Sequence, residues 1–332
     1  MRKNNYSVKE IAEMSGVSVA TVSRVINKNG RFSKETEDRV NEVIRKTNYQ
    51  PNQLARGLRT SKTKTIGILV PDITNEFFAR ITLELQNRFF AEGYISLVFN
   101  TNEDKKLEQL QLNAFQSQQV SGLVYVSGSI EAMPAFHVPI VFIDRQPVFS
   151  MENDVEYILI ESDNYQGGLL ATEELIKKGS RNIACVCFNE ALSSHKDRIA
   201  GYRAALAAHS LPEGDITVVH SVNYAESRQK VSELFSRKPG IDGLFCTTDT
   251  LAIGAVKAVK EFGLNVPEQV KVVGYDDTSL SLYSTPPLTT VRQQVIEISR
   301  LATTVMIDML EQRPVTKTHY RIPVELVIRG TT

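Results

Sequence analysis

Between Tyr6 and Tyr49 the apolar residues recur every three or four positions: Val8, Ile11 and Ala12, then Val19, Val22, Val25 and Ile26, then Val40, Val43 and Ile44. This spacing predicts three helices. A serine precedes each run. Ser7 opens SVKE, a capping-box pattern, Ser18 caps the second helix, and Ser33 caps the third. The sequence SGV ends the first helix, and a short polar-faced helix following a glycine-containing turn predicts a helix-turn-helix. From Thr65 the rhythm changes to short apolar runs separated by amphipathic stretches. TIGILVP, ISLVFN, GLVYVS and PIVFID read as buried parallel strands, with helices over 75–92 and 104–118 between them. NIACVC, DITVVH, GLFCTT and VKVVGYD repeat the pattern, with helices near 195–208, 225–236 and 249–262. LTTVRQ, a helix near 294–311 and RIPVELVIRGTT are expected to cross back and complete the structure. The fold expected is therefore an all-α helix-turn-helix domain ahead of an α/β core of two doubly wound lobes, with a cleft at the carboxyl ends of their strands.

Charge changes this picture more than composition does. The 332 residues are 42% hydrophobic and carry no formal net charge, but the zero is a cancellation. Residues 1–64 hold 14 Lys and Arg against 6 Asp and Glu, a balance of +8, and the remainder carries 24 against 32, a balance of −8. A small basic segment fused to an acidic body points to a polyanionic partner, and nucleic acid is the first candidate. Three cysteines make no disulfide framework. Cys185 and Cys187 alternate along NIACVC and share a face, with no histidine at ligand spacing, so they read as core and no metal is expected. MRKNNYSVKE leads into polar residues without an apolar export region, and no apolar stretch reaches the length of a membrane span, so a cytoplasmic protein is expected. The histidines (His137, His195, His209, His220, His319) are scattered, with no phosphate-binding loop or nucleophile elbow, so neither an enzyme nor a cofactor is expected.

VSVATVSRVIN places Thr21, Ser23, Arg24 and Asn27 opposite the apolar residues. Ser18, Thr21, Ser23 and Asn27 are short enough to meet phosphate oxygens, Arg24 can pair with a guanine edge, and Val19 and Ala20 suit a thymine methyl or close approach. In the segment PNQLARGLR the helix-forming stretch is shorter than ten residues and contains Gly57, so it is expected to be helical only on DNA.

YSVKEIAEMSGVSVATVSRVIN, YQPNQLARGLRT, IGILVPDITNEFF, VVGYDDTSL and PPLTTVRQ together resemble the lactose and galactose repressor family of bacterial transcription regulators, in order along essentially the whole chain. The resemblance implies a DNA-binding domain over 1–50, a hinge helix and linker over 51–64, and a two-lobed effector-binding and dimerisation domain over 65–332, of the periplasmic-binding-protein type. It implies a homodimer on a palindromic operator. The DNA-facing set it implies is Ser7, Val8, Ser18, Val19, Ala20, Thr21, Ser23, Arg24, Asn27, Ser33, Tyr49, Asn52, Ala55 and Leu58, with Leu58 wedged into a base step of the minor groove and Val19, Ala20 and Arg24 choosing the operator. No leucine heptads trail VIRGTT, so no tetramer-forming tail is expected.

Sugars call for carboxylates and guanidinium groups at hydroxyl pairs, and for aromatic faces against CH surfaces. The cleft set expected is Phe77, Phe78, Asp144, Ser194, Arg198, Tyr224, Thr248 and Asp276, with Thr248 where many relatives place asparagine. Asp249 is expected to cap its helix, and Asp277 to point away from Asp276. FNEALSSHKDR departs from the family pattern and leaves the parts of Ser194 and His195 open. The function implied is a sugar-responsive repressor released from its operator. A nucleobase corepressor, control by a phosphorylated carrier protein, and a sugar-binding protein without DNA function are the alternatives.

Overall fold

In a computed structural model of the chain, residues 6–49, 63–126, 137–147, 157–189 and 191–332 are described, the side chain of Asn27 excepted. Two compact units divide after Thr63. The expected hinge helix, with Asn52, Ala55 and Leu58, lies outside the described residues.

The first unit contains α1 (Val8–Ser15), α2 (Val19–Asn27) and α3 (Lys34–Thr47). All three serine caps form. Ser7 and Glu10 exchange backbone hydrogen bonds in a full capping box, Ser18 accepts from the Thr21 N–H, and Ser33 accepts from the Thr36 N–H. Gly16 closes α1 at φ 64°, a left-handed conformation that costs a residue without Cβ little, so α2 begins almost at once. Ile11, Ala12, Val22, Val25 and Val40 form the core of this unit.

The second unit contains β1 (Thr65–Val70), α4 (Glu76–Ala91), β2 (Ile95–Asn100), α5 (Lys105–Ser117), β3 (Gly122–Val126), β4 (Ile140–Ile143), β5 (Tyr157–Ser162) and α6 (Asn164–Lys177). It continues through β6 (Ile183–Phe188), α7 (Ser193–Ala208), β7 (Ile216–Val219), α8 (Tyr224–Arg237), β8 (Gly243–Cys246), α9 (Asp249–Glu261) and β9 (Lys271–Asp276). It closes with α10 (Ser279–Tyr283), β10 (Thr289–Arg292), α11 (Val295–Leu310), β11 (His319–Ile322) and β12 (Glu325–Val327). One sheet has the order β11-β5-β4-β3-β1-β2 and is parallel throughout. The other has the order β12-β10-β9-β8-β6-β7 and is parallel except where β12 runs against β10. Each sheet with its helices is one lobe. Strand order reverses beside β1 in the first and beside β6 in the second, and at such a reversal the loops part to leave a crevice above the strand ends.

Among the described residues the chain passes between lobes three times: from β5 to α6, from β10 to α11, and from β11 to β12. The segment 157–177, which lies outside the elements read from the sequence, makes the first crossing. Its helix α6 contains Gly167 and Gly168, poor helix formers that packing requires. A Cβ on Gly168 would lie 1.9 Å from the Arg198 carbonyl of α7, and one on Gly201 of α7 would lie 2.0 Å from the Tyr165 carbonyl of α6. The two helices therefore touch backbone to backbone, and this contact fixes where α7 presents Arg198.

Candidate functional site

A cavity of about 470 Å3 opens above the carboxyl ends of the strands in the second unit. That volume is within the range of small-molecule sites. Its first wall comes from the first lobe. Asp72, Thr74 and Asn75 follow β1, Phe77 and Phe78 begin α4, Asn102 and Glu103 follow β2, and Asp144 and Arg145 follow β4. Its second wall comes from the other lobe, from Phe188, His195, Arg198, His220, Ser221, Val222, Thr248 and Asp276.

Phe77 and Phe78 belong both to the core and to the cavity. Each is nearly buried, and the rings tilt at 57° with centroids 5.3 Å apart, presenting an apolar floor. Asn75 turns the chain into α4 by accepting from the Phe77 N–H. Asp144, at φ 73°, stands in the left-handed conformation that aspartate and asparagine tolerate better than most side chains, and it lines the cavity just past the end of β4. The neighbouring Arg145 donates two hydrogen bonds to the Glu103 carboxylate at 3.1 and 3.0 Å and lies 6.0 Å above the Phe78 ring.

The second wall is held by a buried polar network. Arg198 donates to Asn164 Oδ1 at 2.8 Å and to the Thr247 carbonyl at 2.7 Å, stacks 3.6 Å from the Tyr275 ring, and lies 3.8 Å from Asp276. Asp276 accepts from Gln293 Nε2 at 2.7 Å, and Gln293 accepts in turn from the Ser162 hydroxyl at 2.6 Å. Ser162 and Gln293 stand at two of the crossings between lobes, so the chain of contacts runs from the cavity to those crossings. Burial pushes the Asp276 carboxyl far above the usual aspartate range; Arg198 opposes the shift, while Asp249 and Asp144 add to it. His195, with Nδ1 3.0 Å from the Thr247 hydroxyl, is held neutral by burial and by Arg198 and Arg145.

Six of the residues expected in the cleft line the cavity: Phe77, Phe78, Asp144, Arg198, Thr248 and Asp276. Two are not brought there. α7 starts at Ser193, so His195 and Arg198, three apart, share the cavity face, and Ser194 is rotated off it into the interior. Tyr224 is the first residue of α8, 41% exposed, because the Asn223 cap turns the helix away after His220, Ser221 and Val222 have passed the cavity. Thr248, rather than Asp249, caps α9; it accepts from the Leu251 N–H. Asp249 is fully buried and accepts from the Thr278 N–H and from the Thr278 and Thr290 hydroxyls. Asp277 does point away from the cavity, to Arg292 and Arg329, each at 2.6 Å.

Arg145 and Glu103 were missed by sequence reasoning, and His195, whose part was left open, lines the cavity. IDRQP carries the signal for Arg145, since a residue directly after a strand-end aspartate shares its loop. Glu103 is set by the left-handed turn at Asn102 and Glu103 (φ 53° and 59°), which no sequence pattern announces.

In the first unit, Ser7, Ser18, Ala20, Arg24 and Ser33 are exposed, and Val8, Val19, Thr21, Ser23 and Tyr49 are half-buried. Val22 and Val25 turn inward. The Arg24 stem passes beside Gly30, where a Cβ would lie 3.2 Å from Cδ. The Asn27 side chain lies outside the description.

Among the described residues, no group of His, Cys, Asp and Glu could hold a metal ion, and no helix is long and apolar enough to cross a membrane. The three cysteines are buried and form no disulfide; Cys185 and Cys187 pack on one face of β6.

Residues 7–52 match the bacterial regulatory proteins of the lacI family, and residues 172–332 match the periplasmic binding protein-like domain. The ribose operon repressor of Halalkalibacterium halodurans is 32% identical over 328 residues, 98% of this chain and 97% of that protein. A lac repressor dimer bound to operator and the anti-inducer ONPF superposes with a TM-score of 0.87 at 24% identity, covering 99% of each chain. A periplasmic binding protein/LacI transcriptional regulator from Alkaliphilus metalliredigens complexed with D-xylulofuranose superposes with a TM-score of 0.72 at 27% identity, covering 81% of this chain and 99% of that one. With a capped helix-turn-helix, two parallel-sheet lobes and a relative this similar along its whole length, the chain belongs to the lacI family of bacterial regulatory proteins.

Proposed function

We propose that this protein is a sugar-gated transcriptional repressor, a homodimer whose paired first units grip a palindromic operator. The observation that carries the sugar assignment is the cavity itself: an apolar floor of two phenylalanines between carboxylate and guanidinium groups, Asp144 on one wall and Arg198 with Asp276 on the other. That set suits vicinal hydroxyls above a CH surface. A ribose operon repressor among the relatives and a D-xylulofuranose complex among the solved structures make a pentose the first sugar to try.

In this reading Arg24 reads a guanine edge, and Val19 and Ala20 meet apolar base surface. Ser7, Val8, Ser18, Thr21, Ser23, Asn27, Ser33, Tyr49 and Asn52 fix the register on the backbone, and Ala55 and Leu58 enter the minor groove. The domain limits that follow are 1–50, 51–64 and 65–332. Sugar bridging Asp144 and Asp276 draws the lobes together, and the Asp276–Gln293–Ser162 contacts pass the movement to the crossings between lobes. Operator affinity falls by the difference in sugar affinity between the two lobe arrangements.

Fluorescence anisotropy of the full chain on palindromic DNA, titrated with D-ribose and other neutral monosaccharides, tests this. The expected result is tight, salt-sensitive binding that sugar weakens, by about 5- to 150-fold for a coupling of ordinary size. Strengthened binding reverses the sign and makes the sugar a corepressor. Unchanged binding with every sugar defeats the gating.

A further inference from the structure

The cavity holds two arginines, and each is already engaged within the protein. Arg198 is committed to Asn164, the Thr247 carbonyl and the Tyr275 ring. Arg145 is engaged by Glu103, whose two carboxylate oxygens accept from Nη1 and Nη2. This is the bidentate geometry with which arginine receives a phosphate. Arg145 is 5% exposed while the Glu103 side chain is 33% exposed, so the carboxylate stands toward solvent from the guanidinium it covers.

The loop that delivers Glu103 is built to hold it there. Asn102 and Glu103 both adopt left-handed backbone, at φ 53° and 59°. Asn100 accepts from the Ile73 N–H at 2.6 Å through its side chain and from Gln111 at 2.7 Å through its carbonyl, and its amide donates to Asn102. Asp104 then caps α5, accepting from the Lys106 and Leu107 N–H groups. A residue held in a costly conformation by bonds on both sides of it is positioned, and what it meets is the one cationic group among the described residues of the first wall.

We propose that Glu103 is the residue that restricts this cavity to uncharged sugars: it occupies the guanidinium of Arg145 and so denies a phosphorylated sugar its anion site. The inference rests on the sugar reading of the cavity. The remaining charges act the same way. Asp72 and Asp144 also line the cavity, Asp276 is held toward its neutral form by burial, His195 is neutral, and the exposed His220 lies beside the Glu226 carboxylate that accepts its backbone N–H. Among the described lining residues an entering phosphate therefore meets carboxylates and no uncommitted arginine or lysine, a like-charge arrangement that discriminates by repulsion. With Glu103 neutral, the Arg145 guanidinium, above Phe78 and 3.9 Å from Asp144, loses the carboxylate that takes its two outer N–H groups, and an anion can stand in that carboxylate's place.

Isothermal titration calorimetry on the full chain, as wild type, Glu103→Gln and Glu103→Asp, with inorganic phosphate, D-ribose 5-phosphate and D-ribose, tests this. Glu103→Gln is expected to bind phosphate and D-ribose 5-phosphate at least about tenfold more tightly than wild type, and Glu103→Asp, which keeps the charge, to behave as wild type. A folded Glu103→Gln with no gain for phosphate overturns the proposal, as does a wild type that binds phosphate equally well. Glu103→Ala, which removes the carboxylate without leaving an amide in its place, carries the same expectation and decides the matter if Glu103→Gln melts abnormally. Binding of D-ribose reads the sugar assignment separately, so its failure is distinguishable from a failure of the phosphate comparison.

Discussion

The two walls of the cavity are built differently. The second wall is finished inside the lobe: Arg198, Asn164, Thr247, Tyr275, Asp276 and Gln293 engage one another, nearly all of them out of contact with water. The first wall is borne on strand-end loops, with left-handed residues at Asn102, Glu103 and Asp144 and an ion pair exposed on its Glu103 side only. A fully engaged buried network has one arrangement available and resists distortion, whereas loops set by local bonds change at smaller cost. The second wall thus keeps the geometry of recognition, and the first is where one relative's ligand can be exchanged for another's.

The largest expected effect comes from cutting the second wall at its centre. Arg198→Ala leaves the buried Asn164 side chain and Thr247 carbonyl without their donor and strips the Tyr275 ring and the Asp276 carboxyl of their neighbour, and is expected to cost about 3–5 kcal/mol in denaturant unfolding and to abolish sugar binding measured by calorimetry. Arg198→Lys is not expected to restore it, because an ammonium cannot both stack on Tyr275 and reach two acceptors. A mild effect on both measurements would erase the contrast between the walls.

Next comes the support beneath that wall. Gly168→Ala puts a methyl 1.9 Å from the Arg198 carbonyl, and backbone cannot yield as a side chain end would. The expected loss is about 3 kcal/mol, with sugar affinity falling through displacement of α7. If stability falls while affinity holds, the wall is less dependent on the contact between α6 and α7 than the geometry says.

The smallest effect, and the one that sharpens the contrast, is on pH. Burial raises the Asp276 carboxyl above its ordinary value of 3.8, so the folded state keeps a proton that the unfolded chain has lost. The contribution to stability is therefore least unfavourable near pH 4 and becomes more costly as pH rises through the raised value. Asp249, raised by burial as well, acts in the same direction. Urea unfolding across this range should show wild type losing stability with rising pH relative to Asp276→Asn, which cannot ionise. Parallel curves would mean that Arg198 already compensates the charge.

How much of this was legible in the sequence depended on whether the cause was local. The serine caps and the helix period of the first unit were legible, because Ser7, Ser18 and Ser33 act within three residues of themselves. So were the eight strands whose apolar runs are continuous. The segment 157–177 was not. Its strand carries Glu161, buried yet charged, paired with His319 from a strand more than 150 residues away, and its helix carries two glycines that only the neighbouring α7 explains. Within the cavity, strand-end residues such as Asp144 and Asp276 could be placed from the run that precedes them. Ser194 and Tyr224 depended on the starting residue of a helix, where a shift of one position turns a side chain by 100°. Arg145 and Glu103 meet across 42 residues, a pairing that no spacing rule anticipates.

Three passages of chain between the lobes among the described residues mean that neither lobe is one continuous stretch of sequence: the first holds β1 to β5 with α11 and β11, the second α6 to β10 with β12. A single nick anywhere along the second unit therefore frees neither half, and no single truncation isolates one. The same threefold tether confines relative motion to a bend in which all three strands take part, so each must give a little when the lobes turn.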